Sequence, residues 1–506
     1  MDRFIRELEI GEIYQRNKWQ FELKSEFIPS LNTQENIYTQ EFYFFIPNSL
    51  QINEETYHKS QFYQDRTNLI RYKTPKFELK ELCDTTNTKS PLNRLSVFCN
   101  EKPSHETLHF IKDELKLLAN SVRSSIRERV GRLVMKKTEE QILKNEIQEL
   151  CEDLKIFRHD YLSVQSDFIK KWASIKEQSY FLYIDEFLSE TVDYYLIGLL
   201  DHIKYSNLSN RKEITKVVSE VILQEKYYRE HILKKTPISE KDTLKNESIL
   251  YTKSLLNKFV ADALLLHTVH ASVVKRFQNL IGSFAAAIAM LVFFVLFTTQ
   301  SNVLIINSFP FIVLTVLLYV LKDRIKESLK NLSYHQFAKW FSDYKTEIFS
   351  PDGSKFVGKM GEYISFIHQK ELPEDIKRVR NREFHAVLEA FTRPEQVLYY
   401  KKQIKTYTAD KSNNARRRAL NIVFHFNIER FLQKADDPSH DYITMDPETL
   451  ELYQINIPKV YHLNMIMKNM YFDKDGNQKN ELKKFRLILD KNGIKRIEHI
   501  STQINA

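Results

Sequence analysis

Glycine is scarce, 9 in a chain of 506 residues. That disfavours the glycine-rich loops of many nucleotide enzymes and, with abundant Lys, Glu, Ile and Leu, favours long helices. Cysteine is scarcer still. Cys83, Cys99 and Cys151 lie far apart and match no CxxC or Cys/His zinc spacing, which argues against a disulfide framework and suits a reducing compartment. The segment Met1 to Trp19 mixes acids and bases and has no apolar core of a secretory signal. The soluble parts are expected to stay where they are made. Most telling, charge is missing from Leu280 to Thr298 and again from Val303 to Leu321.

Each of those runs holds 19 residues, about 28 Å of helix, close to the thickness of a hydrocarbon core. The first carries eleven Leu, Ile, Phe or Val side chains and the second fourteen, worth roughly −3 to −8 kcal/mol each on the insertion scale. Both are expected to insert, as a hairpin spanning 280–321. Lys275 and Arg276 precede it, Lys322, Arg324, Lys326 and Lys330 follow it, and the connection Thr299 to Asn302 has no charge. This asymmetry predicts two spans with both termini in the cytoplasm. Gly282, Ala286 and Ala289, with Ala285 and Ala287 beside them, form a small-residue face for close packing within the membrane. The net charge of +9 is explained more cheaply by an anionic lipid surface than by nucleic acid.

Around the hairpin the pattern predicts an α+β membrane protein: a β-rich cytoplasmic region over 1–100, a helical bundle and stalk over 101–279, the hairpin, a helical return over 322–350, and a C-terminal cytoplasmic α+β domain over 351–506 with an antiparallel β-rich end. Trp19, Phe21 and Leu23 alternate with polar residues, Phe42 to Ile46 is an aromatic run, and a short helix is expected around Phe62 to Ile70. Leu108, Ile111, Leu115, Leu118, Val122, Ile126 and Val130 then step by three or four, and Leu143, Ile147, Leu150 and Leu154 repeat the pattern. Further helices over Leu188–Ile203 and Ile214–Tyr228 complete a bundle or coiled-coil assembly. A helical pattern from about Glu247 runs without Gly or Pro into the hairpin, and another helix is expected over Leu420 to Leu432. Asp475-Gly476 and Asn492-Gly493 are hairpin turns that make residues 440–500 an antiparallel sheet.

Chemical motifs are few and each has a defect. His105-Glu106-Thr107-Leu108-His109 is formally HExxH, in which His105 and His109 would hold zinc and Glu106 would activate water. Pro103 places these residues in the first turns of a helix, and a third ligand would have to come from a string such as Glu149 to Asp153. The five residues resemble zincin metalloproteases, so a zinc-dependent membrane metallohydrolase is the alternative reading; otherwise no cofactor is expected. Gly353 to Met360 has P-loop spacing, but Met360 replaces the magnesium-binding hydroxyl. Asp473 to Asn477 has its glycine misplaced for calcium. Lys377, Arg378 and Arg380, and Arg416, Arg417 and Arg418, are basic clusters for the phosphates of lipid or nucleic acid. His267, Thr268 and His270 are expected to pack in the stalk helix.

The stretches Val460-Tyr-His-Leu-Asn-Met-Ile-Met467 and Phe485-Arg-Leu-Ile-Leu-Asp-Lys-Asn-Gly-Ile-Lys-Arg-Ile-Glu498 resemble a family of uncharacterised bacterial membrane proteins. The resemblance implies an inner-membrane setting and no activity. The strong signals concern anchoring and helix packing, so the expected role is a membrane-anchored scaffold or sensor that contacts the bilayer and a protein partner or a second copy. An anionic-lipid or nucleic-acid binder is the third class.

Overall fold

Alternating apolar residues build the β half of the molecule, and they do so by pairing segments hundreds of residues apart. The computed structural model describes residue 4 and residues 12–500, apart from 31–32, 136–139, 173–174, 206–207, 209, 236–242, 304–307, 339–341, 383–394, 408–415 and 473–476. Its strands, in chain order, are β1 (Ile13–Gln15), β2 (Gln20–Phe27), β3 (Glu35–Pro47), β4 (Arg66–Tyr72), β5 (His267–Ser272), β6 (Tyr344–Phe349), β7 (Phe356–Ile367), β8 (Glu395–Tyr407), β9 (Leu420–Asn427), β10 (Ser439–Met445), β11 (Leu452–Pro458), β12 (Tyr461–Phe472), β13 (Gln478–Asp490) and β14 (Gly493–Ile500). They form an eight-stranded sheet of order β14-β13-β12-β3-β8-β7-β6-β5, a four-stranded sheet of order β1-β2-β9-β4, and a separate ribbon of β10 and β11. The strand pairs are antiparallel.

The two larger sheets face each other over one core. Phe42 and Phe44 of β3, Tyr400 of β8, Leu463 and Met465 of β12 and Phe485 of β13 meet Phe21, Leu23, Phe424 and Phe426 of the smaller sheet. Each such ring contributes about 1.5–3 kcal/mol by leaving water. The opposite side of β3, Tyr43 and Phe45, is covered by Ile376 and Val379 of a short helix, which is why its aromatic run is unbroken instead of alternating. Because β3 pairs with β8 and β12, and β9 pairs with β2 and β4, the regions 1–100 and 351–506 share both sheets and are not two separate units.

Helices are α1 (Lys59–Asp65), α2 (Leu79–Cys83), α3 (Pro91–Asn100), α4 (His105–Met135), α5 (Glu140–Lys171), α6 (Ile175–Lys204), α7 (Arg211–Tyr227), α8 (Thr243–Ala261), α9 (Val273–Val303), α10 (Phe309–Ala338) and α11 (Glu374–Arg380). Helices α2 to α8 form the bundle. All seven apolar positions of the first stripe, Leu108 to Val130, are buried in its core, as are Ile147, Leu150 and Leu154 of the second.

Four expectations are corrected. The helix near Phe62 stops at Asp65, and Arg66 opens β4. Leu420 to Asn427 is a strand, because Leu420, Ile422, Phe424 and Phe426 are pinned by β2 on one side and β4 on the other. The continuous stalk helix is broken: α8 ends at Ala261, Leu264–Leu266 hydrogen-bonds to Ile70 and Tyr72 of β4, and His267–Ser272 becomes β5. Tertiary pairing at a sheet edge overrides the local helical pattern here. The return is likewise helical only to Ala338, with β6 following at Tyr344. Gly353, at φ +73°, turns the chain between β6 and β7. Lys359 and Met360 lie in β7, so the P-loop spacing belongs to a β-hairpin. Gly493, at φ +127°, makes the β13–β14 turn as expected; Asp475-Gly476 lies outside the described residues, although Phe472 and Gln478 on either side pair as hairpin ends.

Candidate functional site

The segment Gly282–Thr299 of α9 has a mean hydropathy of 2.1 with 11% of its residues buried, and among the described residues it is the one helix long and apolar enough to cross a membrane. Large side chains along it face outward, Phe284 at 73% exposure and Leu291 at 66%. Helix α10 packs along α9 but offers only the thirteen uncharged residues Phe309–Leu321 before Lys322, about 20 Å of helix against a core of about 30 Å. Val303, where the second span was expected to begin, belongs to α9, and 304–307 lie outside the described residues. The contact between the helices includes an edge-on pair, Phe297 and Phe311, with centroids 5.9 Å apart. Of the expected small-residue face only Ala289 is buried, together with Ala285. Ala286 is half-buried and a Cβ on Gly282 would meet open space. The seam therefore runs through Ala285 and Ala289, four residues apart on one helix face.

The root of this helix pair is a β-hairpin. β5 leads straight into α9, β6 follows α10, and the two strands pair in register from Ser272↔Tyr344 to His267↔Phe349 at the edge of the eight-stranded sheet. Just inside that edge, between the two sheets, lies a buried polar network. The Glu362 carboxylate of β7 accepts from Arg66 Nη2 at 2.5 Å, Asn68 Nδ2 at 2.7 Å and Tyr400 Oη at 2.5 Å. Lys402 Nζ of β8 donates to Asn68 Oδ1 at 3.2 Å and lies 5.7 and 5.6 Å from the ring centres of Phe42 and Phe424. Burial pushes Lys402 down to about 7; Glu362 draws it back upward and Arg66 lowers it further. Burial, reinforced by Glu362, raises Tyr400 well above the phenol range. Next to the helix root, His270 Nδ1 and Thr346 Oγ1 are 2.8 Å apart, and burial followed by Arg66 lowers the imidazole pKa. Asp343, directly before β6, accepts from Lys59 Nζ at 3.0 Å, Tyr63 Oη at 3.1 Å and the Ile364 amide at 2.9 Å. Lys402 is fully enclosed, which withholds it from any substrate. The arrangement sets Arg66 on the Glu362 carboxylate and Lys402 on Asn68 behind it, between the two sheets.

Sequence reasoning missed this network, although its parity was readable. In β8 the inward series is Leu398, Tyr400, Lys402 and Ile404, and in β7 it is Met360, Glu362 and Ile364; a charged residue at an inward position is the signal. The residues that were singled out lie elsewhere. His105, Glu106 and His109 are exposed in the first turns of α4. Glu149 pairs with Lys80 and with Arg129 at 3.2 Å, and Asp153 pairs with Arg129 at 2.5 Å, so these carboxylates are held by cations on neighbouring helices. Among the described residues no group of three His, Cys, Asp or Glu is placed to hold a metal. His267, Thr268 and His270 lie in β5. The three arginines are turned inward: Arg416 onto Glu114, Arg417 Nη2 onto Asp113 at 2.8 Å, and Arg418 Nε onto the Pro29 carbonyl at 2.8 Å. Arg416 and Arg417 clamp the β half to α4, and Arg418 ties two segments of the β half together. Arg380 is buried against Glu395 at 2.9 Å.

Comparison with known families, with curated proteins and with solved structures finds no match.

Proposed function

We propose that the chain is a membrane-anchored cytoplasmic scaffold or sensor, held by an α9–α10 hairpin with the bundle and sheets on one side of the bilayer. The observation that carries this reading is the outward-facing apolar surface of Gly282–Thr299, a window only 11% buried. Water would charge roughly 25 cal/mol for each Å² of that surface, whereas lipid would not. The strand pair at its root supports a return to the same side: Ser272 and Tyr344 are partners, so a chain that crosses once through α9 has to come back before β6. Helix α10 would make that return with its charged half, from Lys322 onward, at the surface. Lys322 Nζ sits 3.7 Å from the Tyr319 ring centre, an arrangement suited to an interface. The inward engagement of Arg416 to Arg418 favours a structural over a phosphate-binding use of that cluster.

The test is membrane fractionation of the full chain with alkaline carbonate washing, beside a Leu291→Lys/Phe294→Lys variant. The wild type is expected to stay in the pellet, and the variant, at about 2.5–3.5 kcal/mol per buried lysine, to shift to the supernatant. Release of the wild type by carbonate overturns the anchor. Protease added to spheroplasts should leave both ends intact, and cleavage of either soluble half would overturn the common orientation.

A further inference from the structure

The ribbon of β10 and β11 stands apart from the rest of the β structure. Its seven pairs run from Ser439↔Pro458 to Met445↔Leu452, and β11 is exposed at every residue. A two-stranded ribbon is marginal in water by itself, yet this one displays large apolar side chains. Tyr442 (54%), Tyr453, Ile455 and Ile457 share one face. Among the described residues the outer edge of β11 has no neighbour. Its sequence, Leu-Tyr-Gln-Ile-Asn-Ile-Pro, carries no charge. Natural proteins usually protect such an edge with lysine, a bulge or an inward charge.

What fits this edge can be read from its own register. We propose that β11 pairs antiparallel with β11 of a second copy across a two-fold axis at Ile455, giving a four-stranded sheet in which each ribbon completes the other. Antiparallel pairing about that centre sets Ile455 opposite Ile455 and Tyr453 opposite Ile457, so the apolar faces of both ribbons merge into one. It also sets Glu451 of one copy beside Lys459 of the other. That matters because Ser439–Pro458 holds the carboxylates of Asp441, Asp446, Glu448 and Glu451 and no Lys or Arg, in a chain of net charge +9. The acidic tip of each ribbon comes to rest against the base of its mate, where Lys459 Nζ pairs with Asp436 at 2.5 Å and Glu451 of the other copy would join that pair as a second carboxylate. A shift of the register by one residue would turn the apolar faces to opposite sides of the sheet. An anionic bilayer would repel the same acidic tip, which favours a second copy over lipid as the occupant.

The experiment uses the full-length chain extracted in mild detergent, in a Cys83→Ser background because Cys99 and Cys151 are buried. Under copper–phenanthroline oxidation, Ile455→Cys is expected to form a covalent dimer, since opposed residues across an antiparallel pair have Cα atoms about 4.5–5.5 Å apart, within disulfide range. Ile443→Cys, on β10, would sit three strand spacings from its mate, about 14 Å, and is expected to stay monomeric. Glu451→Lys should lower the dimer fraction in sedimentation velocity, and adding Lys459→Glu should restore it. A wild-type chain that sediments as a monomer, equal crosslinking at 443 and 455, or failure of the charge swap to rescue would each overturn the proposal. So would loss of membrane association, without change of oligomeric state, in an Ile455→Asp variant. The readout is association, not sedimentation with membranes, so it stands or falls separately from the anchor.

Discussion

Two buried ion networks, one in the bundle and one between the sheets, are built with opposite imbalances. In the bundle Arg158 serves two carboxylates, Asp185 at 2.5 Å and Glu225 through Nε at 3.1 Å, and Tyr228 Oη donates to Asp185 at 2.6 Å. Between the sheets the ratio is reversed, with Arg66 and Lys402 gathered about Glu362. A surplus carboxylate is relieved by taking up a proton and a surplus ammonium by losing one. Burial accordingly raises the pKa of Asp185, with Arg158 opposing it, and pushes that of Lys402 down to about 7. The bundle network is therefore adjusted from the acid side. The sheet network is adjusted near neutrality, and it lies beside the strands that carry the apolar helices.

The largest effect is expected from Arg158→Ala, which leaves Asp185 and Glu225 enclosed without their cation. It should cost about 3–5 kcal/mol in denaturant titration at neutral pH, and part of the loss should return on acidification. A smaller change, of opposite sign, is expected from Lys402→Met. Removing the surplus cation while Glu362 keeps Arg66, Asn68 and Tyr400 should be neutral to stabilising by about 1–4 kcal/mol. Its pH signature is sharper. Because the folded pKa of Lys402 lies below the ordinary lysine value of 10.5, the unfolded chain binds more protons between those values, so stability should rise with pH from about 7 and flatten above the unfolded value. Thermal unfolding of Lys402→Met across that window should lack this component, and an unchanged slope would reject the assignment. The smallest effect, about 1 kcal/mol, is expected from Asp185→Asn. The folded pKa of Asp185 is raised, so its contribution is complete below the ordinary aspartate value and lost as pH rises through the folded one. The asparagine variant should lose that acid-side gain, and the two networks would then differ in sign of slope as they do in sign of surplus.

Elements set by local periodicity were legible before the structure, and elements set by partners were not. The stripe from Leu108 to Val130 names the buried face of α4 residue by residue, because a helix satisfies its backbone internally and needs only one apolar side. β9 misled because its pattern is also compatible with a helix; what decides it is β2 and β4, about four hundred and three hundred and fifty residues upstream in the chain. β5 is shorter and more polar, and only its place at the sheet edge makes it a strand. The packing seam of α9 was missed by one position, since Ala285, Ala286 and Ala287 are consecutive and composition cannot say which one turns toward α10. Arg416 and Arg417 looked free because their acids, Glu114 and Asp113, are some three hundred residues away. Lys402 could have been found by strand parity, but only after β8 had been recognised as central.

The β5–β6 pair also has a mechanical meaning. On the proposed anchor, any load on the apolar helices, from bilayer thickness, lateral pressure or a bound neighbour, would enter the sheets through Ser272 and Tyr344 together. Those residues are the helix-side rung of an outermost strand pair, so a pull on both helices loads the two strands from the same end and passes inward along the β6–β7 ladder. On that reading the Asp343 clamp, tied to Lys59, Tyr63 and the Ile364 amide, stands at the point where the helices meet the sheet.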